Sequence, residues 1–447
     1  MLMRKLLFIL VLMVCFGKCY LYAQDSTYKK LPTTWTLQNC LDYADKNNYE
    51  LNTLRLSSQT DSQTLLLAKA AVLPGVSGST TQSLTNSKNA NPVVGGFQTE
   101  ANFASDYSIS SSWTVYNGGY LKDNINQKKL ALQSDNLSIV QQEDNNILQI
   151  TQAYLNVLLA KENIVYLQDL AKTSQAEVDQ GQQEFDAGSI AKNDLLQLQA
   201  QLATDKYNVV AAQNLQRQDI LTLKQILLLP SNIPFDIVEP DTLIAITLVP
   251  PLDSVQNTAL ATRPEVKNSE LGVQIAQLDV AKAKAEFLPT ATVGGLLATG
   301  YSDNQSSNYL EQLDNNFYQE IGITLSVPIF TKRENKTALE QSKIEVAQAN
   351  LTLNNTKITL SQTVEQAYVN VLNAQSQYDA AVVEVQATQE SYRVATEELK
   401  AGAVNIVGML EQKILYTQAL QEYLQAKYSA ALYIRIYDFY NGTPIKL

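Results

Sequence analysis

Histidine is absent from all 447 residues. That removes the commonest general base, the commonest metal ligand and most nucleophile-activating pairs. No glycine-rich nucleotide loop is present either, so an enzyme is the least expected reading, and neither a cofactor nor a metal is expected. Cysteine is scarce, with Cys15, Cys19 and Cys40 the only three. Only four methionines occur and three lie in the first 23 residues, which gives no support for a metal-ligand relay. Basic residues are outnumbered, leaving a net charge of -11, and nucleic acid is not an expected partner for so acidic a chain. After residue 23 no long apolar run occurs. A chain of this kind can cross a membrane only as a closed β-barrel, because lipid satisfies no open backbone edge.

What is present begins with an export signal over residues 1–23. Arg4 and Lys5 precede an apolar run from Leu6 to Phe16, and Leu21-Tyr22-Ala23 offers a cleavage site. The run is shorter than the ~20 residues a membrane span takes. Val14 and Lys18 stand where a lipobox requires a small residue, which argues against a lipid anchor on Cys15 or Cys19. Removing Arg4, Lys5 and Lys18 shifts the net charge from -11 to -14 and leaves Cys40 alone, without a disulfide partner.

The mature chain is two copies of one plan, offset by 214 residues. Gln152-Ala153-Tyr154-Leu155-Asn156-Val157-Leu158 recurs as Gln366-Ala367-Tyr368-Val369-Asn370-Val371-Leu372. Gly188 falls on Gly402, Phe103 on Phe317 and Ile109 on Ile323. Upstream the offset slips by one, so that Leu73-Pro74 matches Leu288-Pro289. A duplication this long means that each half builds the same series of elements. The expected division is a first repeat over 24–230, a bridge over 231–250 and a second repeat over 251–447.

Each repeat reads as a helix, two strands and a long helical hairpin. The first helices are expected over about 37–72 and 252–287, both stopped by a proline, Pro74 and Pro289. Strands follow near 76–86 and 290–301, then polar loops over 87–101 and 302–315. The second strands, about 102–116 and 317–329, show period-two alternation. Phe103, Tyr107, Ile109, Trp113 and Val115 lie on one face, and Asp106, Ser108, Ser110, Ser112 and Thr114 on the other. Long hairpins are expected over 120–229 and 332–440, turning at Gly188 and Gly402. Helices of this length far exceed the globular mean of about 11–12 residues and need lateral packing to be stable.

One chain offers four strands, whereas membrane barrels have at least about eight. Three chains would give twelve, an argument for a homotrimer if the strands are membrane strands. With the duplication, the paired strands before Tyr116-Asn117-Gly118-Gly119 and Phe330, and the two glycine hairpins, the chain resembles the TolC-like outer-membrane efflux protein family over essentially its whole mature length. The resemblance implies an α+β, mostly helical, tandem-repeat fold: a trimeric 12-stranded outer-membrane β-barrel continuous with a long periplasmic α-helical barrel. It also implies a passive duct for efflux or type I secretion in a Gram-negative outer membrane. The implied partners are outer-membrane lipid, a periplasmic adaptor and an inner-membrane transporter of RND or ABC type.

The resemblance further assigns adaptor contact to the hairpin tips, Ala187, Gly188, Ser189, Ala401, Gly402 and Ala403. An acidic periplasmic gate in the family maps onto Gly408 and Glu411, one acidic position lost and one kept. The first-repeat equivalent of Gly408 is Asp194, expected in hairpin contacts of the closed state. Three copies of Glu411 about a threefold axis would repel one another and attract cations. Tyr107, Trp113, Tyr116 and Tyr120 are expected at the membrane interface, where amphipathic rings prefer to sit. A periplasmic coiled-coil adaptor or a structural protein is the competing reading. An adaptor is expected to have one hairpin, and a structural coiled coil needs no duplicated amphipathic strands. The exported substrate is not readable from the residues.

Overall fold

The computed structural model describes residues 32–90, 95, 97–239 and 249–445. The expected export signal lies outside them.

The first repeat opens with a short strand β1 (Thr34–Trp35), helix α1 (Leu37–Asn47) and helix α2 (Tyr49–Ala70). Strands β2 (Gly75–Ala90) and β3 (Phe97–Asn117) follow, then helices α3 (Tyr120–Asp186) and α4 (Lys192–Ile226). After β4 (Asp236–Ile237) the second repeat gives α5 (Leu252–Thr262), α6 (Pro264–Ala285), β5 (Thr290–Ser302), α7 (Tyr309–Asn315) and β6 (Tyr318–Ser326). The hairpin of α8 (Glu334–Lys400) and α9 (Ile406–Tyr440) completes it. The duplication is literal in the helices: α3 and α8 have 67 residues each, and α4 and α9 have 35 each. At about 1.5 Å per residue the long members reach roughly 100 Å.

The first helix expected in each repeat is broken in two. Asn48 interrupts the first, because its side chain accepts a hydrogen bond from the Leu51 N–H at 2.9 Å and caps a new helix. Arg263 interrupts the second. It precedes Pro264, which forces it out of the helical region to ψ 136° and then occupies the first helical position. Arg263 is itself buried, with its guanidinium 3.1 Å from Asp144 and 4.5 Å from the Phe439 ring centroid.

Strands β2-β3-β5-β6 form one antiparallel sheet in that order, so the two repeats meet at β3 and β5. The polar loop expected over 87–101 is much shorter, since β2 and β3 stay paired out to Ala90 and Phe97. The expected loop over 302–315 contains α7. Strand β6 ends at Ser326 rather than near 329, because Pro328 has no N–H for the ladder. A bulge between Thr114 and Tyr116 brings Tyr116, not Val115, opposite Ala291. An extra residue in one strand reverses the face of the residues after it, so Tyr116 joins the apolar side.

Two equivalent cores lie where the first helices clasp the long ones. In the first repeat Trp35, Cys40 and Ala44 pack on Ile150, Tyr154 and Val157. In the second, Val255 and Ala259 pack on Val364, Ala367 and Val371. The recurring Gln-Ala-Tyr motif is therefore the buried waist of each hairpin. The first core has an addition that the sequence did not announce: β1 and β4 pair in parallel, and the Tyr154 hydroxyl donates to the Val238 carbonyl at 2.6 Å.

Candidate functional site

Both faces of the sheet are exposed, and they differ in chemistry. Ser77 pairs with Ser110 and Ser79 with Ser108, hydroxyl to hydroxyl at 2.9 and 2.7 Å. The register places Asp106, Thr292 and Thr324 on this same hydroxyl-rich face. The opposite face carries Ile109, Trp113, Leu297, Ile321, Ile323 and Leu325, all large apolar side chains left open. Ile321 is 85% exposed and Ile323 78%. Strands β2 and β6 are the sheet's edges, and neither has a second neighbour among the described residues. Among those residues, too, no helix is long and apolar enough to cross a membrane.

The aromatic residues expected at a membrane interface sit at two levels. Trp113, Tyr116 and Tyr120 lie near the helical end of the sheet. The Trp113 indole donates to the Val72 carbonyl at 2.9 Å, and the Lys282 ammonium lies 5.5 Å from the centroid of the Tyr120 ring. Tyr107 lies toward the far end, where its hydroxyl meets that of Tyr309 at 2.9 Å.

At the other extreme the hairpins turn identically. Gly188 and Gly402 adopt φ of 78° and 74°, the left-handed region where a side chain is strained. Each closes its helix with the same pair of bonds: Gly188 N–H to Phe185 O and Ser189 N–H to Glu184 O, Gly402 N–H to Leu399 O and Ala403 N–H to Glu398 O. A Cβ at either glycine would meet only open space, so backbone conformation rather than packing selects glycine there. Ala187, Ser189, Ala401 and Ala403 flank them, and all four are exposed.

Glu411 lies on α9 and is exposed. Gly408 is in the first turn of that helix, its N–H capped by Asn405 Oδ1 at 2.9 Å. A Cβ there would approach Val404 Cγ1 to 2.8 Å, so an acidic side chain at this position would first have to displace Val404. Asp194 is half-buried in the first turn of α4. Nearby, Gln197 has a buried Oε1 without a hydrogen-bond partner among the described residues.

The polar cluster that joins the two hairpins near their tips was not foreseen. Lys413 is fully buried, and its ammonium donates to Glu177 Oε2 and Ser174 Oγ at 2.6 Å each. Asp205 Oδ2 is 3.9 Å away and accepts from Ser174. Tyr392 donates to Glu177 Oε1 at 2.6 Å, and burial, then that bond, raises its phenol pKa well above the usual range. All four long helices contribute. Beside it, Leu198, Ala395, Ile406 and Met409 form a small apolar core. A second tie lies higher, between α3 and α9: Lys427 grips both carboxylate oxygens of Glu162 at 2.8 Å, and Tyr428 donates to one of them. The only sequence signal for either tie was a lysine on an otherwise apolar stripe. Among the described residues no group of His, Cys, Asp and Glu could hold a metal ion.

The chain and its fold have counterparts among known proteins. The family model described as "Outer membrane efflux protein" matches residues 41–227 and 255–432, one segment in each repeat. The chain belongs to the outer membrane efflux protein family. Among relatives of the family, it is similar to the alkaline protease secretion protein AprF of Pseudomonas aeruginosa, with 25% identity over 67% of this chain and 62% of AprF. The match thus spans less than two thirds of that relative's length. It is also similar to the outer membrane efflux protein BepC of Brucella suis, with 22% identity over 82% of this chain and 76% of BepC. In fold it matches the crystal structure of the Campylobacter jejuni CmeC outer membrane channel. The TM-score is 0.78 at 20% identity, covering 91% of this chain and 86% of that one. The fold is therefore that of the efflux-protein family, and the family is one of channels rather than enzymes.

Proposed function

We propose that this protein is the outer-membrane duct of a tripartite efflux or type I secretion system, passing substrates from the periplasm to the exterior without bond chemistry of its own. The observation that carries the reading is the four-stranded sheet with two open edges, one hydroxyl-rich face and one exposed apolar face, continuous with helices of 67 residues. An apolar face this exposed calls for lipid, and bare strand edges in lipid are not tolerated. Joining β6 of one copy to β2 of the next removes every edge, and three copies make a twelve-strand barrel lined with serine and threonine. The division into an export signal (1–23), two repeats (24–230 and 251–447) and a bridge (231–250) belongs to the same reading.

The hairpin tips around Gly188 and Gly402 then face the periplasm and dock on an adaptor, which links the duct to an inner-membrane transporter of RND or ABC type. Glu411 narrows the entrance as a threefold ring, Gly408 contributes no charge to it, and Asp194 contacts the neighbouring hairpin in the closed state. The test is to purify the protein from membranes, weigh the complex and record it in planar bilayers. A mass of three chains with discrete conductance steps supports the reading. A stable monomer that leaves bilayers silent overturns it.

A further inference from the structure

Helix α7 lies on the outward, apolar face of the sheet and not over the hydroxyl-lined one. The Tyr309 hydroxyl meets that of Tyr107, the Tyr309 ring packs 5.0 Å from Tyr301, and Thr299 donates to the Leu313 carbonyl at 2.6 Å. Tyr107 and Thr299 are register partners, and Ile109 and Leu297 continue the same face. Ser105 beneath the helix is only 2% exposed. The helix is also built to stay there. Asn308 caps it by accepting from the Glu311 N–H, and the buried Gln312 accepts from Ser302 N–H and donates to the Ser307 carbonyl.

Its height is informative. From Tyr116 to Tyr107, at about 3.3 Å per residue and a tilt of about 40°, the outward face rises roughly 20–25 Å. That is the height of the apolar band of a membrane barrel, about 25 Å, which ends in an aromatic girdle. Phe103, Tyr107, Tyr301 and Tyr309 form a continuous ring cluster at that level. Helix α7 rests over β3 and β5, held by Tyr107 and Thr299. Its outer side presents Leu310, 75% exposed, with Glu311 and Asp314 also exposed.

We infer that α7 is a lipid-contact helix, lying at the outer boundary of the membrane with Leu310 against the acyl chains and Glu311 and Asp314 in the hydrated headgroup layer. The occupant is lipid because the helix continues the exposed apolar face and sits at its aromatic upper limit. This rests on the membrane-duct reading. Leu310→Cys, Ile323→Cys and Leu67→Cys variants, each spin-labelled in phosphatidylethanolamine–phosphatidylglycerol vesicles, test it; Cys40 is fully buried and does not take the label. Collision rates with oxygen and with a water-soluble nickel chelate are compared. The expected oxygen-to-nickel ratio at 310 approaches that at 323 and is several-fold above that at 67. A label at 310 that behaves like the one at 67 while 323 remains lipid-exposed overturns the inference and leaves the duct intact. A label at 310 shielded from both probes also overturns it, since protein would then cover the helix. A water-like ratio at 323 overturns the duct reading and this inference with it.

Discussion

The two copies of the repeat act as internal controls for single residues. Leu228 and Gly442 occupy the same position at the ends of α4 and α9, with φ of 56° and 86° and the same closing bonds. Glycine suits that conformation and leucine does not, at a cost of roughly 1–2 kcal/mol. Leu228 is half exposed and packs little, so Leu228→Gly is expected to stabilise the protein by about 1 kcal/mol, seen as a higher Tm in detergent. Lys332 and Arg333 likewise stand where the first repeat has Gly118 and Gly119, all four in the left-handed region. At Gly118 a Cβ would lie 2.8 Å from the Ala285 carbonyl, so there the contact as well as the backbone requires glycine. At the tips, Gly402→Glu is expected to abolish export while leaving the oligomer assembled, because its left-handed strain of roughly 1–2 kcal/mol stays confined to an exposed turn. Normal drug or protein export by that variant would refute adaptor docking at the tip. These glycines were legible in the sequence, since a lone glycine between two long helical patterns has few other uses. Leu228 was not: nothing local marks a leucine as left-handed.

At the scale of elements, the hairpins are riveted rather than simply laid together. Glu177–Lys413 and Glu162–Lys427 tie α3 to α9 at two points about 22 Å apart along the helices. Truncating Lys413 to alanine leaves Glu177 and Asp205 facing each other in a buried site, a loss of roughly 3–5 kcal/mol for a broken buried pair. Limited proteolysis near the hairpin tips reads this out, with cleavage of Lys413→Ala expected under conditions that spare the parent. Between α2 and α3 a different pairing sets a pH dependence. Burial, and then a hydrogen bond and charge from Asp61, push the Asp135 carboxyl up to about 6 from 3.8. A carboxyl held more protonated in the folded state makes folding less favourable as pH rises from about 4 through 6, and the penalty is complete above that. Asp135→Asn is therefore expected to raise Tm at pH 8 and change it little at pH 4. Element types and order could be read from periodicity, as could the hairpin turns. The helix start at Pro264 could be read as well, because proline suits a first helical turn. The break at Asn48, the bulge before Tyr116 and helix α7 could not, since each depends on a side-chain cap or a tertiary contact that composition averages away. Long strand ends rich in Asn, Ser, Thr and Lys also read as loop, because their backbone pairing continues without an apolar pattern.

For the whole molecule, the asymmetry between repeats matters more than their likeness. Gln197 stands opposite Glu411 in the alignment and Asp194 opposite Gly408, so, with Glu411 at the entrance as proposed, a trimer with sixfold-like walls would keep only threefold acidity there. Glu411→Ala is expected to reduce cation selectivity and relieve block by divalent cations in planar bilayers. An unchanged conductance profile would argue against the ring. The family and its architecture were legible from the duplication and the count of strands. The ties around Lys413 were not, because they join residues more than 200 positions apart with no shared motif.

The two open edges of the sheet also carry a genetic consequence. If every closed barrel needs three copies, a variant that assembles but cannot export enters most complexes when made alongside the normal protein. With equal amounts and random mixing, only about one trimer in eight is free of the defective copy. Export-defective alleles that still assemble, such as Gly402→Glu, should therefore be dominant, whereas alleles that spoil the edge strands β2 or β6 should be recessive, since their products never join the barrel.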